Sequence, residues 1–254
     1  MDDVTRVNTA AGTGDRKYAR GLGRTSGPQS PLRRALRAFI HFFSYHLILS
    51  RTNIRTAYAA GFRLSVRPTV FHPKFFISSE RFAEFIDTLD LSGRHVAEVG
   101  TGTGILALAA ARAGAALVVA TDINPNAALS ANENAQANGL GDRVTGVCTN
   151  LMAGLAPRPL FDVILSSPPK HAGEPKNLAD RGWHAGPAYR DIKDLFDQAR
   201  ERLKPGGCIY LMVSSDTDLT LFSELIEKAG FDAQEMREHS LVIESLIIYK
   251  LLPR

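Results

Sequence analysis

An α/β domain, with a mostly parallel sheet and helices on both of its faces, is what three features of this 254-residue sequence predict. Short apolar runs alternate with helical patterns from Ser78 to Ala229, the order expected when parallel strands are joined by helical crossovers. The strand-like run His95-Val96-Ala97-Glu98-Val99 opens into Gly100-Thr101-Gly102-Thr103-Gly104, with three glycines at alternate positions. Late in the chain, Asp232–Glu238 and Ile243–Leu252 both alternate as strands do, with no helix between them, which predicts an antiparallel closing strand.

The N-terminal part has a different character. Residues 1–30 are rich in Gly, Thr, Ser, Asp and Arg without apolar periodicity, which predicts a disordered basic tail. Residues 31–73 form an extension of helix and strand that serves as a lid or a packing segment. Pro31 to Arg51 reads as a helix with a basic entry, and its apolar run of 13 or so residues is short of the roughly 20 needed to span a bilayer. Such a helix either packs on the domain or makes a weak contact with a membrane surface through residues 31–51. From Thr52 to Pro73, alternation at Phe62, Leu64 and Val66, then Val70-Phe71-His72-Pro73 beyond Pro68, predicts two short strands joined by a turn.

Residues 74–254 form the main domain. Ser78 to Leu89 reads as a helix with a serine cap, followed by the strand and glycine turn at 95–104. The helix that continues to Ala113 precedes a second strand, Leu117 to Asp122. Pro125 to Asn138 is a helix with proline in its first turn and a glycine at its end. Arg143–Thr149 and Phe161–Ser166 are the third and fourth strands, the latter continuously apolar as a strand covered on both faces should be. Asp191 to Leu203 is helical, Cys208 to Val213 the fifth strand, and Thr217 to Ala229 a helix.

Charge and cysteine content narrow the function. Of the formal net charge of +4, residues 1–37 carry +5 (eight basic, three acidic), leaving about −1 for the rest. A nucleic-acid enzyme more often carries a basic face on its catalytic domain, so nucleic acid ranks low as a partner. Cys148 and Cys208 both fall in strands expected to be buried, which suits small core residues in a reducing compartment, and the expected location is cytoplasmic. No metal site is expected: His41 and His46 lie five apart, and no other cluster has ligand spacing.

The chemistry sits in four ordered signals. A glycine turn opening a helix lets backbone N–H groups approach a nucleotide-like ligand. The dinucleotide fingerprint places its third glycine one position later than Gly104. Asp122, ending the next apolar run, is placed to accept hydrogen bonds from ribose hydroxyls. With Thr121-Asp122-Ile123-Asn124-Pro125 and Phe161-Asp162-Val163-Ile164-Leu165-Ser166-Ser167-Pro168-Pro169, residues 70–254 resemble a class I S-adenosylmethionine-dependent methyltransferase with a Rossmann-like sheet. More narrowly they resemble the group with an Asn-Pro-Pro-Tyr motif after the fourth strand, which includes release-factor glutamine N-methyltransferases and several rRNA and DNA base methyltransferases.

The resemblance implies S-adenosylmethionine as cofactor, held by Glu98, Gly100, Thr101, Gly102, Gly104, Asp122, Ile123, Asn150, Leu151 and Ser167. Asn150 stands where the family often has an acid reaching the adenine amino group, and its side-chain oxygen can accept the same bond. It also implies a catalytic segment at Ser167, Pro168, Pro169 and Lys170, where a side-chain oxygen and a backbone carbonyl grip a planar amino group. Serine replaces the asparagine. Lys170 replaces the aromatic residue and brings a cation close to a cationic cofactor; it points away, pairs with an acidic substrate group, or acts as a base. Phe71, His72 and Lys74-Phe75-Phe76 are lid candidates by the same resemblance. Trp183 is a substitute aromatic platform, and His171 and His184 are conceivable general bases.

Methyl transfer to a protein side-chain nitrogen is the leading reading, with a small-molecule acceptor next and an rRNA or DNA base third. An NAD-dependent oxidoreductase and a cofactor-binding protein without turnover are the rivals from other classes.

Overall fold

A computed structural model describes residues 19–22, 53–72, 77–241 and 244–254. Its main sheet contains eight strands: β1 (Ala19–Arg20), β4 (His95–Val99), β5 (Leu117–Asp122), β6 (Val144–Cys148), β7 (Phe161–Ser166), β8 (Leu203–Ser214), β9 (Phe231–Ser240) and β10 (Ser245–Pro253). Their spatial order is β1-β9-β10-β8-β7-β4-β5-β6. The five strands from β6 to β8 run parallel, and β10 lies antiparallel between β8 and β9, as the late strand pair predicts. A separate hairpin consists of β2 (Arg55–Ala59) and β3 (Phe62–Val66).

Among the described residues five α-helices complete the fold: α1 (Ile77–Ile86), α2 (Ile105–Arg112), α3 (Pro125–Ala137), α4 (Arg190–Arg202) and α5 (Leu219–Lys228). Two apolar cores flank the sheet. One joins α1, α2, α3 and the hairpin through residues such as Phe82, Leu108 and Leu64. The other joins α4 and α5 through Phe196, Phe222 and Phe231. Every residue of α2 except Arg112 is buried, and its run of alanines lets a fully enclosed helix approach its neighbours closely. At its N-terminus Gly104 has φ 82°, and a Cβ there would lie 2.9 Å from Ala131 Cα, so glycine is required for α2 to meet α3.

Three side chains spaced by four along α3 hold the hairpin. Asn138 pairs with both backbone groups of Arg63, Asn134 with both of Ser65, and Ser130 Oγ accepts the N–H of Arg67. Four residues of helix rise about 6 Å and two residues of strand about 6.8 Å, so the two repeats stay in step over three rungs. Asn134 is fully buried, and its amide also donates to the Thr103 carbonyl at 2.8 Å inside the glycine turn. Beyond β3 the chain forms a strap. Asn124 Nδ2 donates to the carbonyl and hydroxyl of Thr69, and Asn126 Nδ2 to the Pro68 carbonyl.

Several expectations need correction. The strand pair expected on either side of Pro68 is instead β2 and β3, turning at Ala60 (φ 48°) and Gly61 (φ 80°), both left-handed as a tight hairpin turn requires. Residues 67–72 are irregular because Thr69, at φ 65°, is held by Asn124. The first helix ends at Ile86, three residues short of Leu89. Residues 19–22 of the expected disordered tail add a strand to the edge of β9 and bury Leu22, whose N–H donates to Ser223 Oγ at 2.9 Å. Cys208 is buried, but Cys148 is exposed, because β6 is the edge strand and Cys148 ends it. The expected helix at 31–51 and the lid candidates at 74–76 lie outside the described residues. Among the described residues no helix is long and apolar enough to cross a membrane.

Asn134→Ala leaves the Ser65 N–H and the Thr103 carbonyl without their partner in a dry interior. The expected cost is about 3 kcal/mol, or roughly 6–12 °C in Tm for a chain of this size. Thermal unfolding measures it, and a change within 1 °C or so would show that the hairpin is not held by this amide.

Candidate active site

The parallel register sets the site. Val99 pairs with Thr121 and Ser166, Asp122 with Cys148, and Ser166 with Leu211, so the strands end at one level along a common edge. Beyond that edge lies a cavity of about 380 Å³, within the range of small-molecule and cofactor sites. The glycine turn, Asp122–Asn124, Asn150–Leu151 and Ser166–His171 form its floor and walls. The strap (Thr69, Val70, Phe71) and the loop carrying Leu178, Arg181 and Trp183 close over it.

The glycines divide into two roles. Gly100 and Gly102 have φ 80° and 55°, line the cavity, and a Cβ on either would meet no protein atom within 4 Å. Their backbone is therefore open to a ligand. Gly104, expected to touch the cofactor as well, is not in the cavity wall. It faces Ala131, and its absent side chain serves helix packing. The other residues expected at the cofactor, namely Glu98, Thr101, Asp122, Ile123, Asn150, Leu151 and Ser167, all line the cavity.

Two carboxylates shape the turn, Glu98 buried and Asp122 half-buried. Glu98 Oε2 accepts from the Thr101 hydroxyl and from the Ala107 N–H at 3.0 Å, so it caps α2, whose own N-cap is a glycine without a side chain. Burial pushes the Glu98 carboxyl up to about 8, against the lowering effect of these two donors, and the nearby Asp122 charge adds to the rise. Asp122 Oδ2 accepts from the Gly102 N–H (3.0 Å) and Oδ1 from the Asn124 N–H (2.9 Å). Burial raises Asp122 too, opposed by these N–H groups. A carboxylate has about four acceptor positions, so Asp122 can shape the turn and still accept from a ligand hydroxyl.

The segment after β7 reaches the same cavity: Ser167, Pro168, Pro169 and Lys170 all line it. Among the described residues no hydrogen bond occupies Ser167 Oγ or the Pro168 carbonyl. Lys170 neither points away nor stands free as a base. Its Nζ lies 2.7 and 3.0 Å from the two carboxylate oxygens of Glu244, on the connection between β9 and β10. Its carbonyl accepts from the Tyr189 hydroxyl at 2.7 Å.

The loop from 171 to 189 is ordered by short bridges. His171 pairs with His184, and Gly173 with Gly186. Trp183 is buried, with its ring 5.4 Å from Phe71 and 6.4 Å from His171, the last pair nearly parallel at 14°. A Cβ at Gly182 would fall 1.8 Å from Phe71, so the strap's ring lies directly on this loop. His171 lines the cavity; His184 does not, and its Nδ1 lies 3.1 Å from Asp180. His72 is buried but outside the cavity wall.

Three contributors escaped the sequence reading. Asn124 works through the strap; its position just before Pro125 at a helix start was the available signal. Tyr189 sits at φ 55° beside Ala188 at φ 50°, a strained pair with no sequence signature. Glu244 lies 74 residues from Lys170, and no spacing rule connects them.

The raised Glu98 carboxyl gives a pH test. The folded protein binds this proton more tightly than the unfolded chain, whose carboxyl has the ordinary value of 4.5. Glu98 therefore costs nothing below about pH 4.5, and its cost grows as pH rises toward 8. In ligand-free protein, the stability difference between Glu98→Gln and wild type should shift in favour of the variant across this window. A difference that stays flat from pH 5 to 8 in chemical denaturation would contradict the assigned environment.

Comparison with known proteins agrees with this architecture. The family described as ribosomal protein L11 methyltransferase matches residues 82–167. A Methanocaldococcus jannaschii protein named "Putative protein N5-glutamine methyltransferase" is 27% identical over 193 residues, covering 74% of this chain and 94% of that protein. The ribosomal protein L11 methyltransferase of Methylococcus capsulatus is 31% identical over 151 residues, 59% of this chain and 44% of that enzyme. The chain thus spans nearly all of the archaeal relative but under half of the Methylococcus enzyme. Among solved structures, the T. thermophilus 16S rRNA N2 G1207 methyltransferase, in complex with AdoMet and guanosine, superposes with a TM-score of 0.58 at 22% identity. That alignment covers 80% of this chain and 50% of the other. In sheet order, in its converging strand ends and in these relationships the chain is similar to the class I S-adenosylmethionine-dependent methyltransferases, whose fold it shares.

Proposed function

We propose that the protein methylates a nitrogen of a protein side chain, gripped between Ser167 and Pro168. The observation that carries this reading is the pair of unoccupied acceptors, Ser167 Oγ and the Pro168 carbonyl, in the wall of the cavity that the Gly102 turn also lines. A planar –NH2 donates to both, which fixes the nitrogen and leaves its lone pair directed out of the plane. S-adenosylmethionine supplies an electrophilic methyl carbon on a sulfonium. Gly100 and Gly102 offer open backbone to its amino-acid part, and Asp122 offers lone pairs to its ribose. Glu98 and Asp122 place carboxylates where a cationic ligand would offset their burial. The strap and Trp183 exclude water from the transfer.

Charge supports a protein over a nucleic acid. Among the described residues the cavity wall carries five acidic side chains and two basic ones. Both bases are engaged, Lys170 by Glu244 and Arg181 by Asp191. A phosphate backbone would meet repulsion there. Ile77 and Leu178 on the cavity wall are 41% and 44% exposed, giving an apolar lip that a folded or extended polypeptide can cover. The names of the archaeal relative and the L11 methyltransferases point to protein acceptors too. Cytoplasmic location and a weak membrane-surface contact through 31–51 remain parts of the same proposal.

Tritiated-methyl transfer into a lysate from cells lacking the enzyme, separated into protein, RNA, lipid and small molecules, tests the acceptor class. Label is expected in protein, and label confined to RNA or small molecules would overturn the reading. Ser167→Ala should lower turnover roughly tenfold, the worth of one hydrogen bond to the acceptor, and wild-type turnover in that variant would remove Ser167 from the grip on the nitrogen. Gly102→Val, which projects a side chain into the open turn, should abolish cofactor binding in calorimetry. Wild-type affinity in that variant would remove the turn from the site.

A further inference from the structure

A lysine is an unexpected neighbour for a sulfonium. We propose that Glu244 is the counter-charge that makes Lys170 compatible with a cationic methyl donor, and that through this pair the β9–β10 connection positions the Ser167–Lys170 segment. The proposal rests on the cavity being the S-adenosylmethionine site.

Residue 170 is gripped at both ends. Its ammonium is held by both oxygens of Glu244, at 2.7 and 3.0 Å, and its carbonyl by the Tyr189 hydroxyl at 2.7 Å. Each holder is itself fixed. Ser214 Oγ, at the end of β8, donates to Glu244 and accepts the Asp216 N–H at 3.0 Å. The Tyr189 oxygen accepts the Asp218 N–H at 3.3 Å. Glu244 has only 14% of its side chain exposed and Lys170 30%, so the pair is partly desolvated and its charges are weakly screened. All of Lys170, Glu244 and Ser214 line the cavity with Ser167 and Pro168.

Two consequences follow from electrostatics. Unpaired, the Lys170 ammonium would repel a sulfonium in the same low-dielectric cavity. Paired, it contributes almost no net charge, while its stem and carbonyl hold the turn that presents the Pro168 carbonyl. Glu244 is thus a positioning residue. It acts through Lys170 and not on the reacting atoms.

The charge part has a signature that a merely structural role lacks. S-adenosylmethionine carries one more positive charge than S-adenosylhomocysteine, and the two otherwise differ by the methyl group. Trp183, the single tryptophan of the chain, lines the cavity, so its fluorescence reports binding of either ligand to the full-length protein. In Glu244→Gln the ratio Kd(S-adenosylmethionine)/Kd(S-adenosylhomocysteine) should rise roughly tenfold over wild type, the scale of one exposed charge within the cavity. Adding Lys170→Met to that variant should return the ratio to the wild-type value. Lys170→Met alone should lower the ratio, which provides the same reading should Glu244→Gln fail to fold. A ratio that does not move in Glu244→Gln, or in Lys170→Met, with both ligands still binding, would overturn the proposal alone. A wild-type protein that binds neither ligand would overturn the cofactor assignment and this proposal with it.

Discussion

One buried amide ties the two halves of the site together. Asn134 satisfies both backbone groups of Ser65 and the carbonyl of Thr103, so the N-terminal hairpin and the glycine turn share a single side chain. Because the partners are backbone atoms in a dry interior, the contact fixes position as well as contributing stability. The strap that follows β3 inherits that position. Asn124 and Asn126 then hold it over the cavity at Thr69 and Pro68. Asparagines of the helix after Asp122 therefore do for the lid what an adjacent strand does elsewhere in the sheet.

The cavity's electrostatics follow from the same economy of backbone groups. The N-terminus of α2 begins at a glycine that has no side chain to cap it, and Glu98 supplies the missing acceptor from the preceding strand. Asp122 performs a similar service for the Gly102 N–H. Glu98 is consequently buried and Asp122 half-buried beside the ligand space, where a positive ligand relieves their desolvation. Lys170 would spoil this arrangement on its own. Its pairing with Glu244 keeps the wall acidic in balance, in keeping with a cofactor that arrives as a cation and an acceptor that is not a polyanion.

Much of the fold was legible because its signals are local. Apolar runs, the proline at the start of α3, and the glycine turn all act within a few residues, and a mostly parallel sheet with helical crossovers follows once they are placed. The closing β9–β10 pair was legible from alternation alone. What escaped depends on contacts distant in sequence. Alternation located β3 but not its partner, because the deciding Ala60-Gly61 turn is stabilised by Glu80 and Arg112 from two helices. Gly104 resembles its two neighbours in sequence, yet its partner is Ala131. Cys148 is exposed where the sequence predicts burial, because burial of a strand depends on its place in the sheet and β6 lies at the edge.

The proposed function comes down to one claim: a single S-adenosylmethionine lies along the glycine turn with its transferable carbon facing Ser167 and Pro168. A crystal structure of the full chain with S-adenosylhomocysteine bound tests it most directly. The sulfur is expected within roughly 5–6 Å of the Pro168 carbonyl oxygen, leaving room for a methyl group in line with an acceptor nitrogen. A ligand seated elsewhere, or a sulfur more than about 12 Å from that oxygen, lies outside any near-attack geometry and would contradict it.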